Sequence, residues 1–482
     1  MSMFAGGQYR PLTQDAIEAI HNGSMHIFEK VGVEVHSQRA LEIFKAKGAR
    51  VDFETQRVKV PRSMVEDAID VAPSSVRLCG REERNDLILE DKRVYLGTGG
   101  TALNVLDLET GQKRPSTLED VRRTARLVDA LEHIDFFVLP VYPHELPTEA
   151  VDLNRFYAGL SNTTKHVMGG VYTIQGVRDV IAAAEEIAGG PDALRKRPII
   201  SMITCVMSPL KMDETYTELL MEVASQGIPL VCPTEPLCGA TAPVTLAGNL
   251  TLLNVETLSG LILTQLIRPR TPVLYGSVGS IVDMRTMAYL TGAVEMGLLN
   301  AGAAQLAQYY GIPMYATAGM SDSKFPDVQA GYEKAMTAIM VALAGANYIH
   351  DAAGLLEFAM TVSYEQYVID NEILGMVKRA LKGIEVNEET LALDVIERVG
   401  PAGNFLAEEH TVQHMRNEFF FPTLSDRSRR EIWEKNGAKD AYQRAREMAI
   451  AILHEHRPVE IPDEVKQRIK SVFKQIIDNQ HN

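Results

Sequence analysis

Between residues 95 and 383 the chain alternates short, almost wholly apolar runs with longer stretches whose apolar positions recur at helical spacing. The runs are VYLGTGGTALNVLD (94–107), IDFFVLP (134–140), HVMGG (166–170), PIISMITCV (198–206), IPLVCP (228–233), PVLYGS (272–277), IPMYATAG (312–319) and NYIHDAAG (347–354). The first leads into STLEDVRRTARLVDAL, where Ser116 and Glu119 stand at capping-box spacing; the third leads into VRDVIAAAEEIAG and the eighth into SYEQYVIDNEILGMVKRALKG. Continuous apolar strands predict a parallel sheet covered on its outer face. Eight such units favour a closed (β/α)8 TIM barrel over an open doubly wound sheet.

The pattern changes on both sides of this block. Residues 1–92 mix helical periodicity with a predicted hairpin, ARVDFETQRVKVP, turning at 54–56, and read as an α+β cap. Residues 93–385 form the predicted barrel, and 386–482 a charged helical extension packed on it, punctuated by Pro422, Pro458 and Pro462. Residues 239–266 are the longest uncharged-looking stretch, but Thr, Asn, Glu and Gln interrupt it, so a buried barrel helix with its flanking loop is expected rather than a membrane span. Met284, Met287, Met296, Met336 and Met340 fall in helical patterns and are expected to fill the core.

Composition narrows the function classes. With 46% hydrophobic and 23% charged residues the chain is an ordinary globular mixture, which excludes wholesale disorder. A net charge of -15 without a basic run argues against nucleic acid. The first twenty residues lack a basic region followed by an apolar one, and four cysteines (Cys79, Cys205, Cys232, Cys238) in 482 residues suit a reducing compartment; a cytoplasmic protein, without a membrane partner, is expected.

Two candidate motifs are weak. Gly97, Gly99 and Gly100 could cradle a phosphate, but an extended segment and not a helix follows them, so a tight turn at the mouth of the first strand is the better reading. Cys205, Cys232 and Cys238 lack the paired spacing of a zinc site and read as buried structural cysteines; no metal of its own is expected. In a barrel, polar residues just after each strand face the site. Here these are Tyr142, His144 and Glu145; Tyr172; Ser208; Thr234 and Glu235; Ser277 and Asp283; Ser321 and Asp322; and His350, Asp351 and Glu357, with Tyr95 on the first strand itself. Each competes with a plainer role as a helix cap or rim ion pair, Asp322 and Asp327 most evidently. His350 stands out because an imidazole ending an apolar strand needs a partner.

The segments GTGGTALNVLDLETGQKRPSTLEDV, KHVMGG and above all YATAGMSDSKFPDVQAGYEKAMTAIMVALAGANYIHDAAGLLE resemble the trimethylamine methyltransferase family, and the likeness extends over nearly the whole chain. The resemblance implies a barrel that passes a methyl group from an amine to the Co(I) corrinoid (cobalamin) of a separate partner protein, without S-adenosylmethionine. Members acting on trimethylamine carry pyrrolysine; this sequence has only standard residues, which points to the branch resembling glycine betaine methyltransferase. Proline betaine, carnitine and trimethylamine are the alternative substrates. A quaternary ammonium already carries the charge that makes an amine a leaving group, so no covalent side-chain nucleophile is expected, only positioning. Aromatic faces (Tyr95, Tyr142, Tyr172, Phe358) and a carboxylate (Glu235) would hold the cation, and His350 or backbone amides at Gly99 and Gly100 the carboxylate of a betaine, with Asp322 beside them. The chain lacks the DxHxxG cobalt-ligating motif, so the corrinoid must come with its partner, docking on an apolar open mouth; self-association is also expected. Two rivals remain on sequence grounds: a barrel lyase or aldolase using Lys324 as Schiff base, and a betaine-binding protein without turnover.

Overall fold

The structure, a computed structural model, describes residues 4–477. Eight parallel strands build one sheet: β1 (Tyr95–Thr98), β2 (Phe137–Val138), β3 (Val167–Gly170), β4 (Ile200–Ile203), β5 (Leu230–Val231), β6 (Val273–Gly276), β7 (Met314–Thr317) and β8 (Tyr348–Ala353). Each pairs with its neighbour in chain order, β8 returns to β1, and the ring closes where Asp135 N donates to Leu96 O at 2.7 Å beside β2. This is the (β/α)8 barrel that the apolar runs predict. Its outer ring comprises α1 (Leu118–Ala130), α2 (Thr148–Asn162), α3 (Ile174–Ala188), α4 (Glu214–Gln226), α5 (Leu246–Ile267), α6 (Val294–Tyr310), α7 (Val328–Ala344) and α8 (Tyr364–Lys382).

Sequence and burial agree most closely at α5, which is apolar on every face because neighbours enclose it on every face. It is the one helix among the described residues long and apolar enough to cross a membrane, and 83% of its most apolar window is buried inside the fold. The barrel interior is a column of side chains. Phe136 stacks on Tyr348 at 3.5 Å between ring centroids, Tyr348 on Tyr315 at 5.6 Å, and Tyr315 on His350 at 4.0 Å, so aromatic packing carries an imidazole up to the mouth. Val76, Leu78, Leu87 and Leu89, from a hairpin of the N-terminal segment, pack into the same cluster and plug the opposite end.

Outside the barrel, the hairpin Arg50–Asp52 with Arg57–Lys59 forms as expected, with Gln56 in the turn at φ 51°. Two local expectations are corrected. α1 is capped one residue later than predicted: Thr117 is the N-cap, and the Asp120 carboxylate accepts its N–H at 2.9 Å, while Ser116 donates to Tyr142 O. Asp120 prevails because Arg114 and the Tyr364 hydroxyl also converge on it, fixing that carboxylate in the core. Of the methionines, Met296 is buried, but Met284 and Met287 are each 60% exposed on the loop after β6 and Met336 lies on the outer face of α7. The helical spacing around Met284 and Met287 is coincidental, for that segment forms a turn and a short strand.

Candidate functional site at the mouth of the barrel

β8 does not end regularly. Ile349 pairs with Leu96 but Ala353 pairs with Thr98, so β8 carries extra residues against β1 and bulges. The bulge holds His350 and Asp351, and Asp351 adopts φ 64°, a left-handed conformation that non-glycine residues take at a cost. Asp351 Oδ2 lies 3.0 Å from His350 Nε2, and His350 Nδ1 lies 2.8 Å from the Ala316 carbonyl. Thr317 Oγ lies 3.2 and 3.3 Å from the two ring nitrogens as well, so both are engaged and neither is free for a ligand carboxylate. Asp351 Oδ1 is buried and has no hydrogen-bond partner among the described residues. It is pressed against Gly99, where a Cβ would sit 1.5 Å from it. The glycine run is thus a close-approach surface: a Cβ at Gly97 would strike the Phe136 ring and one at Gly100 the Pro140 carbonyl.

Across the mouth, Glu235 follows β5. Its side chain is open to solvent, yet surrounding protein pushes its carboxyl above the ordinary value, a hydrogen bond with Tyr289 opposing and the Asp351 charge adding to the rise. Solvent access combined with desolvation describes a group on the wall of a concave cup. Cys205, at the end of β4, has the same character: open to solvent, its thiol pushed up to about 12 by the protein around it. The walls are secondary structure in their own right. Leu237–Cys238, Ser280–Val282 and Tyr289–Leu290 pair into a small sheet that presents Tyr289, and strands 104–106, 113–115, 355–356 and 361–363 form another beside β8. Below Glu235, Glu256 of α5 accepts from Ser208 Oγ, Thr234 Oγ and Leu210 N, tying the β4 and β5 loops together.

The third corner is aromatic. Tyr142 and Tyr172 meet edge to face at 5.7 Å, and His144 packs against Tyr142 at 5.4 Å. α2 holds this corner from behind, with the Asp152 carboxylate accepting the N–H of Tyr172 and of Thr173, the N-cap of α3.

Among the residues singled out from sequence, Glu235, Tyr142, Tyr172, His350, Gly99 and Gly100 therefore gather at the mouth. Three do not join them. Tyr95 stands at the far end of β1, its hydroxyl accepting from Ile88 N and its ring bordering a basic cavity of about 660 Å³ at the opposite end of the barrel. Strand position alone could not tell the first residue of β1 from the last. Asp322 is spent on structure, accepting Thr291 N, Thr291 Oγ and Gly292 N to lock the β6–α6 loop. Phe358 sits at the rim with its ring under Lys324 Nζ at 4.5 Å, and that ammonium donates to the Asp322 carbonyl, outside the cup. Asp327 is the N-cap of α7, as its plainer reading has it. Asp351 carries more than its sequence position suggests, and the sequence gives no sign of Tyr289 or Arg155: nothing separates Tyr289 from a loop aromatic or Arg155 from any helical arginine until the chain folds.

The molecule is thus a (β/α)8-barrel protein with an acidic, solvent-accessible cup at the C-terminal end of its strands, where barrel enzymes place their sites. Residues 5–476 match the family described as trimethylamine methyltransferase (MTTB), and the chain belongs to that family. It is 41% identical over 466 residues to trimethylamine methyltransferase MttB of Desulfitobacterium hafniense (strain DSM 10664 / DCB-2), a match covering 97% of this chain and 94% of that protein. It is 34% identical over 470 residues to the glycine betaine methyltransferase of Desulfitobacterium hafniense (strain Y51), covering 97% of each. The crystal structure of the Methanosarcina barkeri monomethylamine methyltransferase MtmB superposes with a TM-score of 0.51 at 14% identity, covering 95% of this chain and 96% of that one, a likeness of fold alone. The chain is a methyltransferase.

Proposed function

We propose that this enzyme takes a methyl group from a quaternary amine, glycine betaine foremost, and delivers it to a corrinoid carried by a partner protein. The observation that carries the reading is the charge of the cup. Glu235 opens into it and Asp351 lies behind its wall, the second with a buried oxygen that has no hydrogen-bond partner among the described residues, while the His350 imidazole is engaged by Asp351 and the Ala316 carbonyl. A buried carboxylate oxygen without a donor is costly unless a ligand answers it, and a quaternary ammonium answers with charge where it has no proton to give. Tyr289 adds an aromatic face beside Glu235, worth about 0.5–2 kcal/mol to a cation.

The residues fit a methyl acceptor brought from outside. Leu103, Met207, Met284, Met287, Phe325 and Met360 are all exposed on loops that follow barrel strands, an apolar collar around the cup. A reduced corrinoid seated there would supply the nucleophile. The chain's part is to hold the ammonium at depth, point one methyl outward and keep water away; when the carbon–nitrogen bond breaks, the nitrogen keeps the electron pair and leaves as a neutral tertiary amine. No side chain need form a bond, and orientation supplies much of the rate.

The test offers glycine betaine, carnitine, proline betaine and trimethylamine in parallel to the enzyme with a reduced corrinoid, free or protein-bound, and follows the corrinoid's absorbance. Methylation from a quaternary amine and not from trimethylamine is expected. Methylation from trimethylamine alone, or from none of the four, would sink the proposal.

A further inference from the structure

α2 turns two charged side chains, Asp152 and Arg155, toward the loop after β3. Asp152 is answered by the Tyr172 and Thr173 amides. Arg155, one turn on, is wholly buried; among the described residues no carboxylate bonds it directly, and the Asp152 carboxylate acts on it only across space. Its Nη2 donates to Thr101 Oγ at 2.9 Å and to the Leu139 carbonyl at 3.2 Å, its Nη1 donates to the Tyr172 hydroxyl at 3.1 Å, and its Nε has no partner among the described residues. A buried guanidinium bonded only to neutral oxygens is offset in part by Asp152 across space, and an anion at the Tyr172 hydroxyl would offset it further.

The direction of the Arg155–Tyr172 bond decides what it does. Guanidinium only donates, so the Tyr172 oxygen accepts and its own proton points elsewhere. Among the described residues that proton meets no acceptor, and the Tyr172 ring, half-buried against Tyr142, stands at the cup's edge. A hydroxyl polarised by a cation behind it is a charge-assisted donor aimed at whatever occupies the mouth. Glu235 and Asp351 on the other wall repel anions, which leaves this corner as the place where an anionic group can sit.

We infer that Arg155, acting through the Tyr172 hydroxyl, is the receptor for the carboxylate of a zwitterionic quaternary amine, so that the cup reads both ends of its substrate: ammonium at Glu235 and Asp351, carboxylate at Tyr172. Arg155 is a positioning residue and Tyr172 the contact. This inference rests on the proposed function and adds to it the group that separates betaines from amines lacking an anion.

Calorimetric titration of the full-length enzyme tests it, with glycine betaine, carnitine and proline betaine as zwitterionic probes and tetramethylammonium as the cation without a carboxylate. Tyr172→Phe, which keeps the ring, is expected to weaken the best zwitterion about ten- to a hundredfold, the worth of one charge-assisted hydrogen bond, and to leave tetramethylammonium unchanged. Arg155→Lys should fall between the wild type and Tyr172→Phe, and Tyr172→Phe keeps the test sound if changes at the buried arginine impair folding. Equal losses for both ligand types, or no loss for either, overturn the inference. Wild-type binding of tetramethylammonium but of no zwitterion overturns it while the ammonium site stands; wild-type binding of neither overturns the proposed function with it.

Discussion

Asp351 combines a left-handed backbone, a 3.0 Å contact to His350 through one oxygen and a buried second oxygen with no partner among the described residues. Left-handed backbone costs about 1–3 kcal/mol and persists where the surroundings impose it, here the β8 bulge and the absence of a side chain at Gly99. Two outcomes follow at this scale. Asp351→Asn keeps the volume but removes the charge, and is expected to lower methyl transfer from a quaternary amine about ten- to a hundredfold, measured as kcat/KM, with the fold unchanged by circular dichroism. Gly99→Ala places a methyl group on that oxygen, so Asp351 must move; activity is expected to drop at least as far, and a variant with wild-type kinetics would show that Asp351 does not face the reacting amine. Sequence could mark His350 as a polar residue ending an apolar strand. It could not show that His350 is spent on its neighbour, because that depends on a bulge set by pairing with β1.

At the scale of elements, buried ionic groups tie the barrel's parts together. Lys334 of α7 lies 3.1 Å from Asp370 of α8, both essentially inaccessible, and Asp370 also accepts from Gly354 N after β8. Lys334→Met strands the carboxylate, and a loss of about 3–5 kcal/mol in chemical denaturation is expected, much of it regained when Asp370 is made apolar as well. Glu256 predicts a pH dependence. Burial pushes its carboxyl up to about 7 from an ordinary 4.5, with the hydrogen bonds from Thr234, Leu210 and Ser208 opposing. Its folded value lies above its unfolded one, so the folded state holds the proton more tightly and the group costs nothing below about pH 4.5. Stability is lost as pH rises from there to about 7, on the order of 3 kcal/mol in all. Glu256→Gln should flatten that part of the wild-type stability profile; identical slopes in the two proteins would discard the assignment. The elements themselves were legible: every apolar run became a strand and the uncharged stretch became α5, since burial on all sides leaves its mark on composition. The end of a strand was not, as Tyr95 shows, because a residue's height in the barrel depends on strand stagger.

The whole molecule sets an apolar collar on a chain of net charge -15. If a corrinoid protein docks there, Met284→Glu with Met287→Glu should weaken its binding, read by surface plasmon resonance, while calorimetric affinity for the amine holds; weakening of both together would place these methionines in the cup and not in a docking face. What the sequence determined by itself was the repeat of strand and helix, the parallel barrel and, through resemblance, the family, because periodicity and apolar runs record burial one element at a time. Only the tertiary structure decided which polar residues gather at the mouth of the barrel. Asp351, Glu235 and Tyr172 stand on β8, after β5 and after β3, far apart in the chain and neighbours only once the barrel closes. Their chemistry lies in direct contacts that are missing or already spent among the described residues: a donor for Asp351, a directly bonded anion for Arg155, a free nitrogen on His350. Such vacancies are properties of contacts, and contacts between distant strands are fixed by closure of the sheet rather than by any local pattern.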